Sequence, residues 1–183
     1  MLRLVTRNPI ATADPVTVAE VARHLRLETV EAQEAMGYVA TAALEVEDAA
    51  RLALLTTEVV ARGEPAQVLT LPIGPVLEEA DVQTVELINP DGSTVVQTSG
   101  WGLLAGQRAA IAFDETPDRP VRVIYRAGYG GTEADVPADL RHAVLDQALR
   151  LYDLRGDVDA PAPLCPAAAR ICARYSRVSL GAA

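Results

Sequence analysis

Hydrophobic side chains recur at intervals of three and four residues in several stretches of the chain, and each stretch predicts a helix with one apolar face. Thr17 precedes the first stretch and Glu20 follows three positions later, which is the pattern of a capping box at a helix N-terminus. Thr29 offers a similar cap to the second stretch. The helices are predicted over residues 17–26, 29–51 and 137–155, with a last short helix over residues 167–175.

The pattern changes between residues 63 and 132, where short runs of β-branched residues alternate with turn residues. This pattern predicts a β-rich insert. Its clearest part is the turn Asn89-Pro90-Asp91-Gly92, because proline presets the first central dihedral and glycine accepts the left-handed position. The turn is predicted to join strands over residues 85–88 and 94–97 as a hairpin.

Helices before and after a β-rich insert predict an α+β fold, with a helical core built from the N- and C-terminal parts of the chain. The length of 183 residues suits one domain, or one domain that carries an insertion. Residues 1–16 are predicted to be an irregular N-terminal arm and residues 17–157 the main domain. Residues 158–183 are predicted to be a proline-rich linker and a C-terminal arm that contains the short helix.

The composition limits both the chemistry and the packing of the chain. All 16 basic residues are arginine, so a Walker lysine, a Schiff-base lysine and a lysine general base are excluded. The formal net charge of −9 disfavours the wrapping of nucleic acid, although an acidic surface can line a passage through which DNA slides. Much of the hydrophobic half of the chain is alanine, which buries little surface, so we expect help from partner subunits.

The N-terminus shows no pattern of a secretory signal, and no segment reaches the roughly 20 apolar residues of a membrane span. Cys165 and Cys172 lie seven residues apart, a separation of about 10 Å along a helix, which is too long for a disulfide. We therefore expect the chain to be made in the bacterial cytoplasm, with both cysteines as small apolar side chains.

Three glycines follow the last strand-like run in the order in which many phosphate-binding loops are built. The segment Gly128-Tyr129-Gly130-Gly131 is followed neither by GK[ST] nor by the third glycine of a dinucleotide fingerprint. In addition, Glu133 and Asp135 precede the next helix and would repel a phosphate at its N-terminus. These features argue against a nucleotide site.

The same segment is better explained as a structural joint between the β-rich insert and the helix that follows. Gly128 and Gly130 are predicted to hold backbone angles that a Cβ would oppose. Pro137 is predicted at the first helical position, where its missing N–H is no loss. The predicted joint consists of Gly128, Tyr129, Gly130, Gly131 and Pro137.

Other polar residues offer little evidence of chemistry. His142 and Asp146 lie four residues apart and could act as a catalytic pair, but such pairs are common on helix surfaces and no nucleophile accompanies them. His24 stands alone and is expected to be exposed or to cap a helix. The two histidines and two cysteines show no metal-ligand spacing. We predict no catalytic residue, no cofactor and no metal site.

Two further features stay open at this point. The carboxylates of Glu78, Glu79 and Asp81 could bind a hard cation, yet a solvated loop explains them equally well. Trp101 lies between glycines and is expected to anchor a loop or contact another subunit.

Taken together, three stretches resemble one family, the head–tail connector (adaptor) proteins of tailed bacteriophages, prophages and gene transfer agents. No single motif is diagnostic, but the order and spacing of the three are similar to those of that family. Three segments depart from it: the acidic loop between Gly130 and Pro137, the segment around Trp101 and the proline-rich stretch after Asp157. The matching stretches are residues 16–28 with the alanine-rich helix that follows, residues 72–93 with the aspartate–glycine turn, and residues 121–157.

The resemblance implies a ring of about twelve subunits that extends the DNA channel between portal and tail. Its implied partners are the portal protein, a tail-side neck or stopper protein, other copies of the chain, and double-stranded DNA that passes without specific binding. In the family the C-terminal end reaches into the portal. The corresponding portal-contacting arm here would carry Arg170, Arg174, Tyr175 and Arg177.

The resemblance therefore favours a structural protein, incorporated in the neck of a phage or phage-like particle, with no catalytic activity. Two alternatives remain. One is another neck or tail-completion protein with a similar helical core, and the other is a small enzyme that uses the glycine loop at 128–131.

Overall fold

The computed structural model describes residues 2–155 and 164–176. It contains helices and antiparallel sheets, so the predicted α+β fold class is confirmed. The chain forms two compact units: Met1–Thr12 with Leu55–Gly131, and Ala13–Leu54 with Thr132–Ala183. No described helix is both long and apolar enough to cross a membrane.

The first unit is built on a five-stranded antiparallel sheet in the order β1-β2-β8-β4-β5 and a three-stranded sheet in the order β3-β7-β6. Buried and less buried positions alternate along β2 and β8, two of the three inner strands, as expected for strands with one face on a core. The strands are β1 (Arg3–Pro9), β2 (Thr57–Gly63), β3 (Val68–Thr70), β4 (Val82–Ile88), β5 (Thr94–Val96), β6 (Trp101–Leu104), β7 (Ala110–Phe113) and β8 (Val121–Ala127).

The hairpin expected at Asn89-Pro90-Asp91-Gly92 is present between β4 and β5, with Ile88 paired to Thr94. The backbone N–H of Gly92 donates to the Asn89 carbonyl at 2.9 Å, and the φ of Gly92 is +86°. Asp91 accepts from the backbone N–H and the hydroxyl of Ser93, which lowers the pKa of its carboxyl. The turn therefore forms for the reasons that its sequence indicates.

Strand β1 lies where an irregular N-terminal arm was expected. It is the outer strand of the five-stranded sheet and pairs antiparallel with β2 from Arg3↔Arg62 to Pro9↔Thr57. Nearly all of its side chains are exposed, so the segment lacks the apolar alternation by which a strand is recognised. The β-rich unit thus begins before residue 63 and includes a segment from the start of the chain.

Trp101 also lies in a strand rather than in the expected loop. It opens β6, which pairs with β7, and its indole Nε1–H donates to the Gln97 carbonyl at 2.9 Å. This bond satisfies the polar end of a half-buried ring.

The second unit is helical. α3, α4 and α5 pack together through small and aliphatic side chains, including Val39 and Val46 of α3 and Val144 of α4, all fully buried. The helices are α1 (Val18–Leu25), α2 (Thr29–Glu34), α3 (Met36–Ala50), α4 (Ala138–Asp153) and α5 (Pro166–Tyr175).

The structure corrects two helix boundaries. The single helix expected over residues 29–51 is two helices, because Ala35 ends α2 and begins α3 with a ψ of −10°. The Tyr38 N–H then bonds to the Ala35 carbonyl, a 3₁₀-type contact that tightens the first turn. Glu28 rather than Thr29 is the N-cap of α2, and its backbone N–H donates to the Glu31 carboxylate.

The capping box at the first helix is present as expected. The Thr17 hydroxyl accepts from the backbone N–H of Glu20 at 3.2 Å, and the Glu20 carboxylate accepts from the backbone N–H of Thr17 at 2.8 Å. Arg26, in the left-handed conformation, ends this helix.

Candidate functional site

Gly128 directly follows β8 and holds a φ of +127°, which L side chains rarely adopt. A Cβ at this position would stand 2.5 Å from the carbonyl oxygen of Leu55 and 2.8 Å from the backbone nitrogen of Thr56. The Gly128 N–H donates to the Pro75 carbonyl at 3.0 Å. The absence of a side chain is therefore required twice, by the backbone angle and by the neighbouring chain.

The other residues of the expected joint have different roles. Gly130 is not among the glycines with positive φ, which corrects the expectation for that residue, but its carbonyl accepts from the Thr56 N–H at 2.8 Å. The Tyr129 hydroxyl accepts from Gln107 Nε2 at 2.6 Å. A Cβ on Gly131 would meet nothing within 4 Å. The loop is thus bound to its own unit at Gly128, Tyr129 and Gly130.

The acidic residues that follow the loop lie just before the N-terminus of α4 in the structure. A short 3₁₀ helix, Glu133–Asp135, precedes α4, and the Asp135 carboxylate accepts from the backbone N–H and the hydroxyl of Thr132 at 3.0 Å each. Pro137 is the N-cap of α4 rather than its first residue, because its ψ of 135° is extended. A phosphate at this N-terminus would meet the negative charge that the sequence indicated.

The C-terminal residues Arg170, Arg174 and Tyr175 lie on α5, which packs on α3 and α4 and buries Ile171 and Cys172. Within the described residues, this helix is a packed part of the helical unit, which corrects its expected place on a free arm. The free energy gained by burying these apolar side chains exceeds the conformational entropy that the segment would keep as a free arm. Arg177 lies outside the described residues.

Two of the expected portal-contacting residues already bind within the chain. Arg174 Nη2 lies 3.0 Å from Asp139 Oδ2, and the Tyr175 hydroxyl donates to Asp139 Oδ1 at 2.7 Å. Arg170, in contrast, is exposed on α5. Arg174 is exposed as well, so both arginines are accessible to a partner, and Arg174 already holds an ion pair with Asp139.

A buried glutamine fixes the start of α5, a role that the hydrophobic pattern of the sequence does not predict. Gln147 on α4 is fully buried; its Oε1 accepts from the backbone N–H of Cys165 at 2.7 Å, and its Nε2 donates to Glu45 at 2.6 Å. The Cys165 thiol in turn accepts from the Ala168 N–H and caps α5. The polar type of residue 147 on an apolar helix face is the only sequence signal of this role.

His24 is neither isolated nor a helix cap, which corrects the expectation from the sequence. Its Nε2–H donates to Asp146 Oδ1 at 2.9 Å, and its ring meets the ring of His142 edge-on with the centroids 5.4 Å apart. His142 Nε2 lies 3.5 Å from Asp146 Oδ2. No spacing rule could find this cluster, because His24 and Asp146 are 122 residues apart in the chain.

The remaining candidates do not form a shared site. In the part of the chain that the structure describes, Glu78, Glu79 and Asp81 do not converge as a group of three metal ligands. Cys172 is buried, and this burial raises the pKa of its thiol. Its thiol donates to the Val46 carbonyl at 3.8 Å, so it packs as the small apolar side chain that was expected.

Comparison with known proteins gives structural matches only. No protein-family model matches the chain, and no curated protein matches it. The chain is similar to chains in solved structures of gene transfer agent (GTA) particles, each match covering 99% of this chain and 98% of the other. They are the virion of a native particle (26% identity, TM-score 0.75), the neck of an empty particle computed with C6 symmetry (26%, 0.74) and the neck of a native particle computed with C12 symmetry (27%, 0.68).

Proposed function

We propose that this protein is a structural component of the neck of a gene transfer agent or phage-like particle. Within the neck it acts as the head–tail adaptor, a ring between portal and tail that extends the DNA channel. The observation that carries the proposal is the similarity to chains of GTA necks and virions over 99% of the sequence. Because each match covers 99% of the chain, the similarity concerns the complete fold and not a single motif that unrelated proteins also contain.

Formation of a ring requires two different surfaces on each subunit, because a head-to-tail contact pairs one patch with another. The two outer strands of the five-stranded sheet, β1 and β5, provide exposed apolar side chains on opposite edges. Exposed edge strands and apolar residues are features that assembly commonly covers. The exposed residues are Leu4 and Val5 on β1, and Val95 and Val96 on β5.

The charge of the chain suits a channel through which DNA moves. The net charge of −9 is consistent with an acidic channel wall. Such a wall does not neutralise phosphates, so DNA keeps its counterions and passes without tight binding. The adaptor has no catalytic role, and its partners are the portal protein, a tail-side neck or stopper protein and its own copies. It is made in the bacterial cytoplasm and then incorporated in the particle.

Electron microscopy of the purified protein mixed with its portal protein tests the proposal. We expect rings of about twelve subunits bound to the tail-side face of the portal, and monomers or loose associations without portal. Rings that bind a tail protein but not the portal would instead identify another neck or tail-completion protein. A chain that binds neither partner would contradict the proposal.

A further inference from the structure

A cluster of two histidines and one aspartate joins α1 to α4, and the proposed neck function does not use it. His24 lies on α1, while His142 and Asp146 lie one turn apart on α4. One ligand atom from each of the three residues lies within 4.8 Å of the others. Both imidazoles turn their Nε2 atoms toward the same carboxylate, at 2.9 Å and 3.5 Å.

Two imidazole nitrogens and a carboxylate oxygen are the donors that Zn²⁺ and similar cations bind, at about 2.0–2.2 Å. Tetrahedral ligands at that bond length stand about 3.4 Å apart. His142 Nε2 stands 3.5 Å from Asp146 Oδ2, which matches this value, and His24 Nε2 stands 2.9 Å from Asp146 Oδ1, a separation that must lengthen by about 0.5 Å. The ligand atoms of the two histidines lie within 4.8 Å of each other. The side chain of His142 is 58% exposed, so it can rotate to bring its nitrogen to the required distance without disturbing the core.

We propose that His24, His142 and Asp146 form a binding site for Zn²⁺ or a similar divalent transition-metal ion, which links α1 to α4. The chain supplies three ligands and leaves a further coordination position to water, as in open zinc sites. The exposed ring of His142 gives the ion a path of entry. This inference does not depend on the neck function.

The surroundings determine which cations the site accepts. Arg23 and Arg26 line a surface pocket beside His24. Glu20 lines the same pocket, and its Oε1 lies 3.0 Å from Arg141 Nη1 in an ion pair. A hard cation held by charge alone is disfavoured there, whereas imidazole nitrogens bind zinc-type ions through their lone pairs. The site is therefore expected to select Zn²⁺ over Mg²⁺.

Metal binding requires a change in the hydrogen positions of the cluster. The Nε2–H of His24 donates to the carboxylate in the present arrangement. An imidazole that binds a metal through Nε2 is neutral and carries its proton on Nδ1. The metal thus replaces the hydrogen between His24 and Asp146, and the carboxylate changes from hydrogen-bond acceptor to metal ligand.

Thermal unfolding of the full, tag-free protein tests the site, with ZnCl₂ as the probe and MgCl₂ for comparison. Because the unfolded chain does not hold the three ligands together, zinc should raise the melting temperature, by roughly 5 °C or more at about 100 times its Kd. MgCl₂ should leave it unchanged. Calorimetric titration should give one zinc per chain, and Co²⁺ should show the visible absorption of a low-coordinate complex.

Substitutions assign the effect to the cluster. His142→Ala removes an exposed side chain, so it should leave the fold intact and lose the zinc-induced rise, and His24→Ala and Asp146→Asn should lose it too. Two controls should keep the rise: Asp153→Asn, an exposed carboxylate on the same helix, and Cys165→Ser, which removes a half-buried thiol and keeps an oxygen for the cap. No rise in the wild-type protein, or an equal rise in His142→Ala, would overturn the proposal.

Discussion

Gly128 stands so close to the backbone of Leu55 that a Cβ on the glycine would lie 2.5 Å from the Leu55 carbonyl oxygen. The same glycine has a φ of +127°. The Gly128 N–H also bonds to Pro75, so three segments of the β-rich unit meet at this residue. The close approach explains why a glycine follows β8 directly.

Gly128→Ala should therefore destabilise the protein strongly. The new methyl group must displace backbone rather than a side chain, and alanine must also hold an unfavourable φ, which together cost about 2–4 kcal/mol. The free energy of unfolding from denaturant titration, followed by circular dichroism, measures the loss.

Gly131→Ala is the matched control, because a Cβ there meets nothing within 4 Å and its φ is not positive. Its free energy of unfolding should stay within about 0.5 kcal/mol of the wild type. Equal stability of the Gly128 and Gly131 variants would show that the loop relaxes around a side chain at residue 128.

Local chemistry made several elements predictable from the sequence. The capping box of Thr17 and Glu20 and the turn that ends at Gly92 are formed by residues at most four positions apart. Such contacts depend on residue type and spacing, both of which the sequence shows directly. The α+β class also followed, because the helical and strand patterns occupy separate parts of the chain.

The features that the sequence did not reveal depend on contacts between distant segments. β1 is a strand because it pairs with β2, not because its own side chains alternate. His24 meets Asp146 only because α1 and α4 are neighbours in the fold. Propensity and periodicity carry no information on such pairings, which the packing of the whole unit determines.

Gln147→Leu should destabilise the helical unit although it adds apolar surface to a buried position. It removes the acceptor of the Cys165 N–H and the donor to Glu45, and a buried group left unpaired costs about 1–3 kcal/mol. Urea unfolding measures this loss. The control Gln33→Leu, on an exposed position of α2, should change stability by no more than about 0.5 kcal/mol, and a similar effect of both variants would refute the role of Gln147.

Tyr125 should make the protein sensitive to alkali. Its ring is fully buried, and burial raises the pKa of its hydroxyl above the usual value of about 10. The unfolded chain then ionises at a lower pH than the folded one, so it binds fewer protons above pH 10. The stability that Tyr125 contributes is present below about pH 10 and falls by about 1.4 kcal/mol per pH unit above it.

Tyr125→Phe separates this effect from the hydrogen bonds of the hydroxyl, which donates to the Ile73 carbonyl at 3.1 Å and accepts from the Ile73 N–H at 3.2 Å. At pH 8 the variant should be less stable than the wild type by about 1–3 kcal/mol. Above pH 10 the difference should shrink. Unfolding curves between pH 8 and pH 11 measure both, with Tyr38→Phe as a control; a constant difference would contradict the role of ionisation.

The packing of α5 determines where the chain can be truncated in a test of portal binding without loss of stability. A chain that ends at Asp159 loses the buried Ile171 and Cys172 and the Cys165 partner of Gln147. Burial of a side chain such as isoleucine contributes about 1.5–3 kcal/mol, so this truncation should destabilise the helical unit by several kcal/mol. Its loss of portal binding would reflect partial unfolding as much as the loss of a contact.

A chain that ends at Ser176 retains α5 and removes Arg177, so it is the sharper test of the portal-contacting arm. Its free energy of unfolding should stay within about 1 kcal/mol of the wild type, while its binding to portal in a pull-down should be lost. Arg170→Ala should weaken that binding without loss of stability, because Arg170 is exposed on α5. If the shortened chain and the Arg170 variant both bind portal like the wild type, the C-terminal residues do not form the contact.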